Sequence, residues 1–251
     1  MMREELRRDV MSTPWDFRYR GILFGALYGL AFFLGFIIQS VLGGKSEPTY
    51  AVVAMPFGDG GVRAGAWIAT ALCFAGFLIR WWGASYLTAG VVWSGDVVAG
   101  GVEVAGPFRF VRNPLYVGNL VIALGIGLAG PPAVTVLVIA FNLAYIRRLI
   151  DVEERFLALT QGESYDAYRK AVPRLVPRLH AVSLGSSGRP PAIVDGLLGE
   201  LFTLGFAVGM GAIALWSWRA PNYALMEEIW IGGLALQIGL RQVMRRAGAT
   251  S

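Results

Sequence analysis

The stretch GPFRFVRNPLYVGN, Gly106 to Asn119, gathers arginines, prolines and glycines directly ahead of an apolar run. A residue before proline is biased away from helix, and Pro114 suits a helix's first turn, so Asn113 is extended and a helix starts at 114. The free N–H groups of that helix start, beside Arg112, favour an anion. Downstream lies RRLIDVEERFLALTQGESYDAYRKAVPRLVPRL, 147–179, with the adjacent carboxylates Glu153 and Glu154. Taken singly, such charges are interfacial anchors and solvated helix faces. Their placement gives them another meaning.

Between the RNPLY turn and the EE pair lie two apolar stretches, 115–129 and 133–149, joined by Gly130-Pro131-Pro132. Prolines there cannot continue a helix, so the chain reverses and forms a tight helical hairpin. A hairpin that goes out and returns brings both of its ends to one membrane surface, so the arginines and the carboxylates converge. Glu153 and its neighbours suit an amphipathic helix that Gly162 ends, and ESYDAYRKAV begins another before Pro173.

The rest of the chain says where this hairpin sits. Of 251 residues, 55% are hydrophobic and 16% charged, and the mean hydropathy is +0.55, too apolar for a hydrated surface. Runs long enough to cross a bilayer occur at 21–42, 64–87, 193–218 and 224–244. With the hairpin these predict an all-α, polytopic integral membrane protein of six membrane helices with a cytoplasmic pocket. The charged N-terminus lacks a signal-peptide pattern, so the first helix is expected to remain as an anchor. If that terminus is cytoplasmic, 19 of the 22 basic residues lie inside, leaving Lys45, Arg63 and Arg219 outside. Both termini and the segment 150–192 are then cytoplasmic. The net charge of +5 reflects topology and contact with the lipid bilayer, not nucleic acid.

Several chemistries are excluded by composition. One Cys (Cys73) and one His (His180) allow neither a zinc hydrolase nor an imidazole triad, and no metal is expected. Cys73 reads as a small buried residue. Gly21, Gly25 and Gly29, together with Gly205 and Gly209, have the spacing of close helix packing in lipid, and a homodimer through such helices is an expected partner. Gly125-Ile126-Gly127 also reads as packing. Glu200, within the fifth apolar run, needs either a partner or an aqueous pocket.

These motifs resemble the isoprenylcysteine carboxyl methyltransferase and phospholipid methyltransferase superfamily. GPFRFVRNPLYVGN is similar to its G-P-Y-R-Y-x-R-H-P-x-Y-x-G signature, and EERFLALTQGESYDAYRKAVPRLVP to its E-E-x-x-L, G-x-x-Y-x-x-Y and V-P-R-x-x-P series. LIRWWGASYL in the second run has the same flavour. The resemblance covers roughly 64–180, with Asn113 standing where most relatives have His. It implies S-adenosylmethionine as cofactor and a lipophilic acceptor reached from the bilayer. The residues it implies for the cofactor are Glu103, Phe108, Arg112, Asn113, Pro114, Leu115, Tyr116, Glu153 and Glu154. Arg112 and Arg148 are the implied catalytic residues. Phe108 and Tyr116 would offer aromatic faces to adenine or to the sulfonium, and Glu153 would accept from a ribose diol or face the cofactor ammonium.

The implied organisation is an N-terminal segment and anchor (1–63), a methyltransferase core (64–182), a linker (183–192) and a C-terminal two-helix module (193–251). That module is expected to be accessory to the cofactor site. The acceptor stays open among a prenylcysteine-like carboxylate, a phospholipid amine and a small thiol. Alternatives are a sterol-reductase-like NADPH enzyme, against which Gly118-Asn119 and the EE pair speak, and a non-catalytic relative.

Overall fold

The computed structural model describes residues 14–87, 103–183 and 190–248, and among these it is helical with no strand. A short turn of helix, α1 (Trp15–Arg18), leads into the apolar α2 (Arg20–Val41). After α3 (Thr49–Ala54) and a 3-10 turn comes α4 (Gly58–Tyr86). The hairpin is α5 (Pro114–Ala129) and α6 (Pro132–Gln161), followed by α7 (Glu163–Ala171). The chain closes with α8 (Ile193–Gly199), α9 (Leu201–Ala212) with a π-helical extension to Ser217, and α10 (Tyr223–Gly248).

Small residues set how closely α4 and α5 approach. A Cβ on Gly76 would lie 2.6 Å from the Gly118 carbonyl oxygen, and one on Gly125 would lie 2.7 Å from that of Ala69. The backbones therefore touch, as the spacing of small residues in lipid-facing helices allows. Cys73 is fully buried in this contact, as expected. Gly127 likewise packs on Thr135 across the hairpin, and Gly209 on Met226 and Trp230. A Cβ on Gly21, Gly25 or Gly29 would meet open space, so among the described residues this stripe packs on none.

The hairpin turn is held from outside. Thr135 donates its hydroxyl to the Gly127 carbonyl (2.7 Å), and Thr49 donates its N–H (2.8 Å) and its hydroxyl (2.9 Å) to that of Gly130. Tyr223 donates to the Ala129 carbonyl at 2.7 Å. Carbonyls left over where Pro131 breaks the helix thus find donors, as low-dielectric surroundings demand.

Among the described residues, three helical segments are long and apolar enough to cross a membrane: Arg20–Val41, Thr49–Tyr86 and Pro132–Gln161. A fourth is counted if Ile193–Gly199 and Leu201–Ser217, bent by 64° at Glu200, are one span. The described helices that meet this test number three or four where six membrane helices were expected, and the run 193–218 is bent at Glu200. At 1.5 Å per residue the sixteen residues of α5 reach about 24 Å, short of a hydrocarbon core of about 30 Å. The helix after the hairpin also runs unbroken through the EE pair to Gln161, where Gly162, at φ 55°, ends it. One core cluster joins Ala66, Ala69, Cys73, Ile122 and Ile126 to Phe206, Ala207, Met210 and Ile213, so α9 shares the core of α4 and α5.

Candidate active site

The two ends of the hairpin meet as the reversal at Pro131 requires. Tyr116, in the first turn of α5, donates its hydroxyl to Glu153 Oε1 on α6 at 3.0 Å. Arg112, just before α5, pairs with Glu154 through Nη2 at 3.0 Å. Tyr116 is buried with Ile146, Leu149, Ile150 and Phe17, which fixes the ring from which the hydroxyl reaches. Arg20, at the start of α2, acts electrostatically on Glu153 and was missed in the sequence motifs.

The tail after α7 is the third component. The Arg112 N–H donates to the Pro173 carbonyl (2.8 Å), that of Arg178 to Phe110 (3.0 Å) and that of Val182 to Arg109 (3.0 Å). Asn113 Nδ2 donates to the Arg174 carbonyl at 3.1 Å, and Tyr168 to that of Phe108 at 2.9 Å. Sequence VPRLVPRL therefore runs beside the FRFVRN turn and fastens it. Arg174 pairs with Asp151 and reaches Glu154 Oε2 at 3.3 Å. Burial pushes the Tyr165 phenol up to about 12 and raises that of Tyr168 further, so both stay neutral beneath the turn.

Each residue drawn from the motifs has a definite place. Arg112 points into the protein: besides Glu154, its Nη1 donates to the carbonyls of Arg169 (2.6 Å) and Val172 (2.9 Å). Phe108 is buried and Glu103 Oε1 accepts from the Ala105 N–H at 2.8 Å. Asn113 precedes α5 without capping it, because its amide is turned to the tail. Pro114 is the first helical residue, and the N–H groups of the following turn carry no side-chain cap. The Leu115 carbonyl accepts from Arg80 Nη1 at 3.3 Å. Arg148 lies apart from the Tyr116–Glu153 pair in its bonding: it pairs with Asp16 of α1 at 3.0 Å and is half exposed.

Arg80 was read from the sequence as one of the inside-facing basic residues. The structure buries it against Glu200 at 2.7 Å, so it is no marker of topology. The signal was present: an arginine in one apolar run and a glutamate in another must find each other in lipid. Far from this site, Arg219 pairs with Asp59 beside Glu47, Met55 and Trp218, at the end of the bundle opposite the RNPLY turn. Among the described residues no group of three or more His, Cys, Asp or Glu side chains could hold a metal ion.

Comparison with known proteins finds relatives for part of the chain. Residues 64–163 match the phospholipid methyltransferase family. The chain is 36% identical over 121 residues to the cobalt-zinc-cadmium resistance protein CzcN of Cupriavidus metallidurans, covering 46% of this chain and 53% of that protein. It is 36% identical over 91 residues to methanethiol S-methyltransferase 2 of Bradyrhizobium diazoefficiens, covering 32% of this chain and 33% of that one. It is 29% identical over 164 residues to the nickel-cobalt-cadmium resistance protein NccN of Alcaligenes xylosoxydans xylosoxydans, covering 59% and 71%. The match thus spans about half the length of the first relative and a third of the second. No solved structure matches the chain at a significant level. Residues 64–163, the segment similar to the phospholipid methyltransferase family, carry most of α4, the hairpin and the Tyr116–Glu153 and Arg112–Glu154 pairs.

Proposed function

We propose that the protein is an integral membrane methyltransferase that uses S-adenosylmethionine and methylates a lipophilic or membrane-associated acceptor. The observation that carries this reading is the meeting of Tyr116 and Glu153 beside an uncapped helix start. A carboxylate of the cofactor would meet the first-turn N–H groups of α5, where the helix dipole favours negative charge. Glu153 would accept hydrogen bonds from the ribose diol or face the ammonium, and Phe108 and Tyr116 would supply aromatic faces. Arg112 and Glu154, being paired with each other, hold the turn and the helix in register.

S-adenosylmethionine, when bound, supplies a methyl group on a sulfonium. The protein's part is alignment and exclusion of water. Burial of Tyr116, Ile146 and Ile150 around the hairpin's open end provides the low-dielectric wall. For a carboxylate or thiolate acceptor, charge is neutralised along the reaction, which such surroundings favour over the separated ions. The methanethiol S-methyltransferase relative supports a small thiol among the acceptors.

The membrane surface that carries the RNPLY turn is cytoplasmic in this reading, with both termini on that side. Calorimetric titration of the purified full-length protein with S-adenosylmethionine and with NADPH tests the assignment. Saturable binding of S-adenosylmethionine alone is expected, and binding of NADPH alone would overturn it in favour of a reductase.

A further inference from the structure

The helix break at Glu200 lies outside the family-matched segment, yet it reaches into the site. Glu200 is fully buried, and the 64° bend turns its carboxylate toward α4. Arg80 meets it with two parallel bonds, Nε to Oε2 at 2.7 Å and Nη2 to Oε1 at 2.8 Å. Thr203, one turn on, donates its hydroxyl to Oε2 at 2.8 Å. The remaining arm of the guanidinium, Nη1, donates to Asn119 Oδ1 at 2.9 Å and to the Leu115 carbonyl at 3.3 Å.

Leu115 is the residue before Tyr116, so the carbonyl gripped by Arg80 belongs to the turn that aims the Tyr116 hydroxyl at Glu153. Gly118 is part of the same device. A Cβ there would lie 2.5 Å from Arg80 Cγ, so the arginine stem crosses α5 because position 118 has no side chain. On the far side, the Phe202 N–H released by the break donates to Oε1 of buried Gln237 on α10 at 2.7 Å. The break is therefore built into the C-terminal helices on one side and clamped to α4 and α5 on the other.

We infer that Glu200 is a positioning residue for the Tyr116–Glu153 pair, acting through Arg80, and that the C-terminal helices complete the methyltransferase domain instead of standing beside it. This rests on the function proposed above. A planar, forked guanidinium is what allows one side chain to make two parallel bonds to Glu200 and still reach Asn119 and Leu115; the three donors of an ammonium radiate from one nitrogen and cannot reproduce that spread.

The test uses the full-length protein in lipid nanodiscs, comparing wild type with Arg80→Lys and with the double variant Arg80→Met/Glu200→Leu. The first keeps the charge pair and loses the fork. The second removes both charges, a change that buried pairs often tolerate in stability. Hydrogen exchange of 114–119 is followed with 163–171 as internal control, alongside thermal unfolding and S-adenosylmethionine affinity. Either folded variant is expected to exchange faster at 114–119 than wild type, with 163–171 unchanged, and to bind cofactor about tenfold more weakly. Wild-type exchange and wild-type affinity in a folded variant would overturn the positioning role. If Arg80→Lys does not fold, the double variant decides by the same readings. Should wild type bind no S-adenosylmethionine, the functional reading falls, while the exchange data still decide whether Glu200 and Arg80 hold the turn.

Discussion

Tyr116 and Glu153 stand 37 residues apart in sequence and 3.0 Å apart in space, the tyrosine hydroxyl donating to the carboxylate across the open end of the α5–α6 hairpin. Replacing the carboxylate by an amide keeps an acceptor for Tyr116 while removing the charge. Glu153→Gln is expected to unfold near the wild-type temperature and to bind S-adenosylmethionine roughly tenfold more weakly, since hydrogen bonds to a charged group contribute about 1.5–3 kcal/mol each. Calorimetry together with a melting curve checks it. Unchanged affinity with unchanged stability would leave Glu153 a hydrogen-bond partner of Tyr116 with no part in cofactor binding.

Arg112 is a different kind of residue. Its side chain is 10% exposed and joins Glu154 to the carbonyls of Arg169 and Val172. Lys cannot reproduce that fork, so Arg112→Lys should lower stability by about 2–4 kcal/mol. Chemical denaturation in detergent measures this, and a wild-type midpoint would show that the tail docks without the arginine.

Close approach of α4 and α5 makes a second stability test. A methyl group at position 118 would meet Arg80 Cγ at 2.5 Å and the Gly76 carbonyl at 2.7 Å. Gly118→Ala is expected to cost about 1–3 kcal/mol, the usual penalty of overpacking. A melting temperature equal to wild type would mean that the two helices separate freely.

Alkaline titration reports on the tail. Burial holds the Tyr165 phenol at about 12 in the folded protein, above the value near 10 expected when unfolded. The folded state then keeps a proton that the unfolded state loses. Stability is full below pH about 10 and falls by about 1.4 kcal/mol per pH unit as the pH rises toward 12. Tyr165→Phe should remove that share of the slope in unfolding experiments across this range, and an identical slope would place the phenol in water.

Topology is checked with cysteines at exposed positions, since native Cys73 is buried. Lys45→Cys is expected to react with a membrane-impermeant thiol reagent in intact cells, and Glu163→Cys only after lysis. The reverse pattern would invert the orientation drawn from the basic residues.

The hairpin, its Gly130-Pro131-Pro132 reversal and the end of α6 at Gly162 were legible in the sequence, because proline and glycine act locally on the backbone and apolar runs report their own burial. So was the convergence of the RNPLY turn with the EE pair, since a reversal leaves its ends no other place. The partners within that convergence were not legible. Nothing in the order of residues says that Arg112 takes Glu154 while Tyr116 takes Glu153, or that Asn113 turns its amide to Arg174. Those choices depend on the rotation of α6 about its axis, which is set by packing against α2 and α5.

Glu200 shows the division most clearly. Its sequence established that a carboxylate lay among apolar residues and needed a partner. The tertiary structure decided that the partner is Arg80, 120 residues away, and that the helix bends to present it. Composition and periodicity determined an all-helical, apolar chain with a polar cluster at one end of a hairpin. Which charges neutralise one another was left to the fold, because an ion pair in a low-dielectric interior depends on distances of a few ångströms between helices that are remote in the chain.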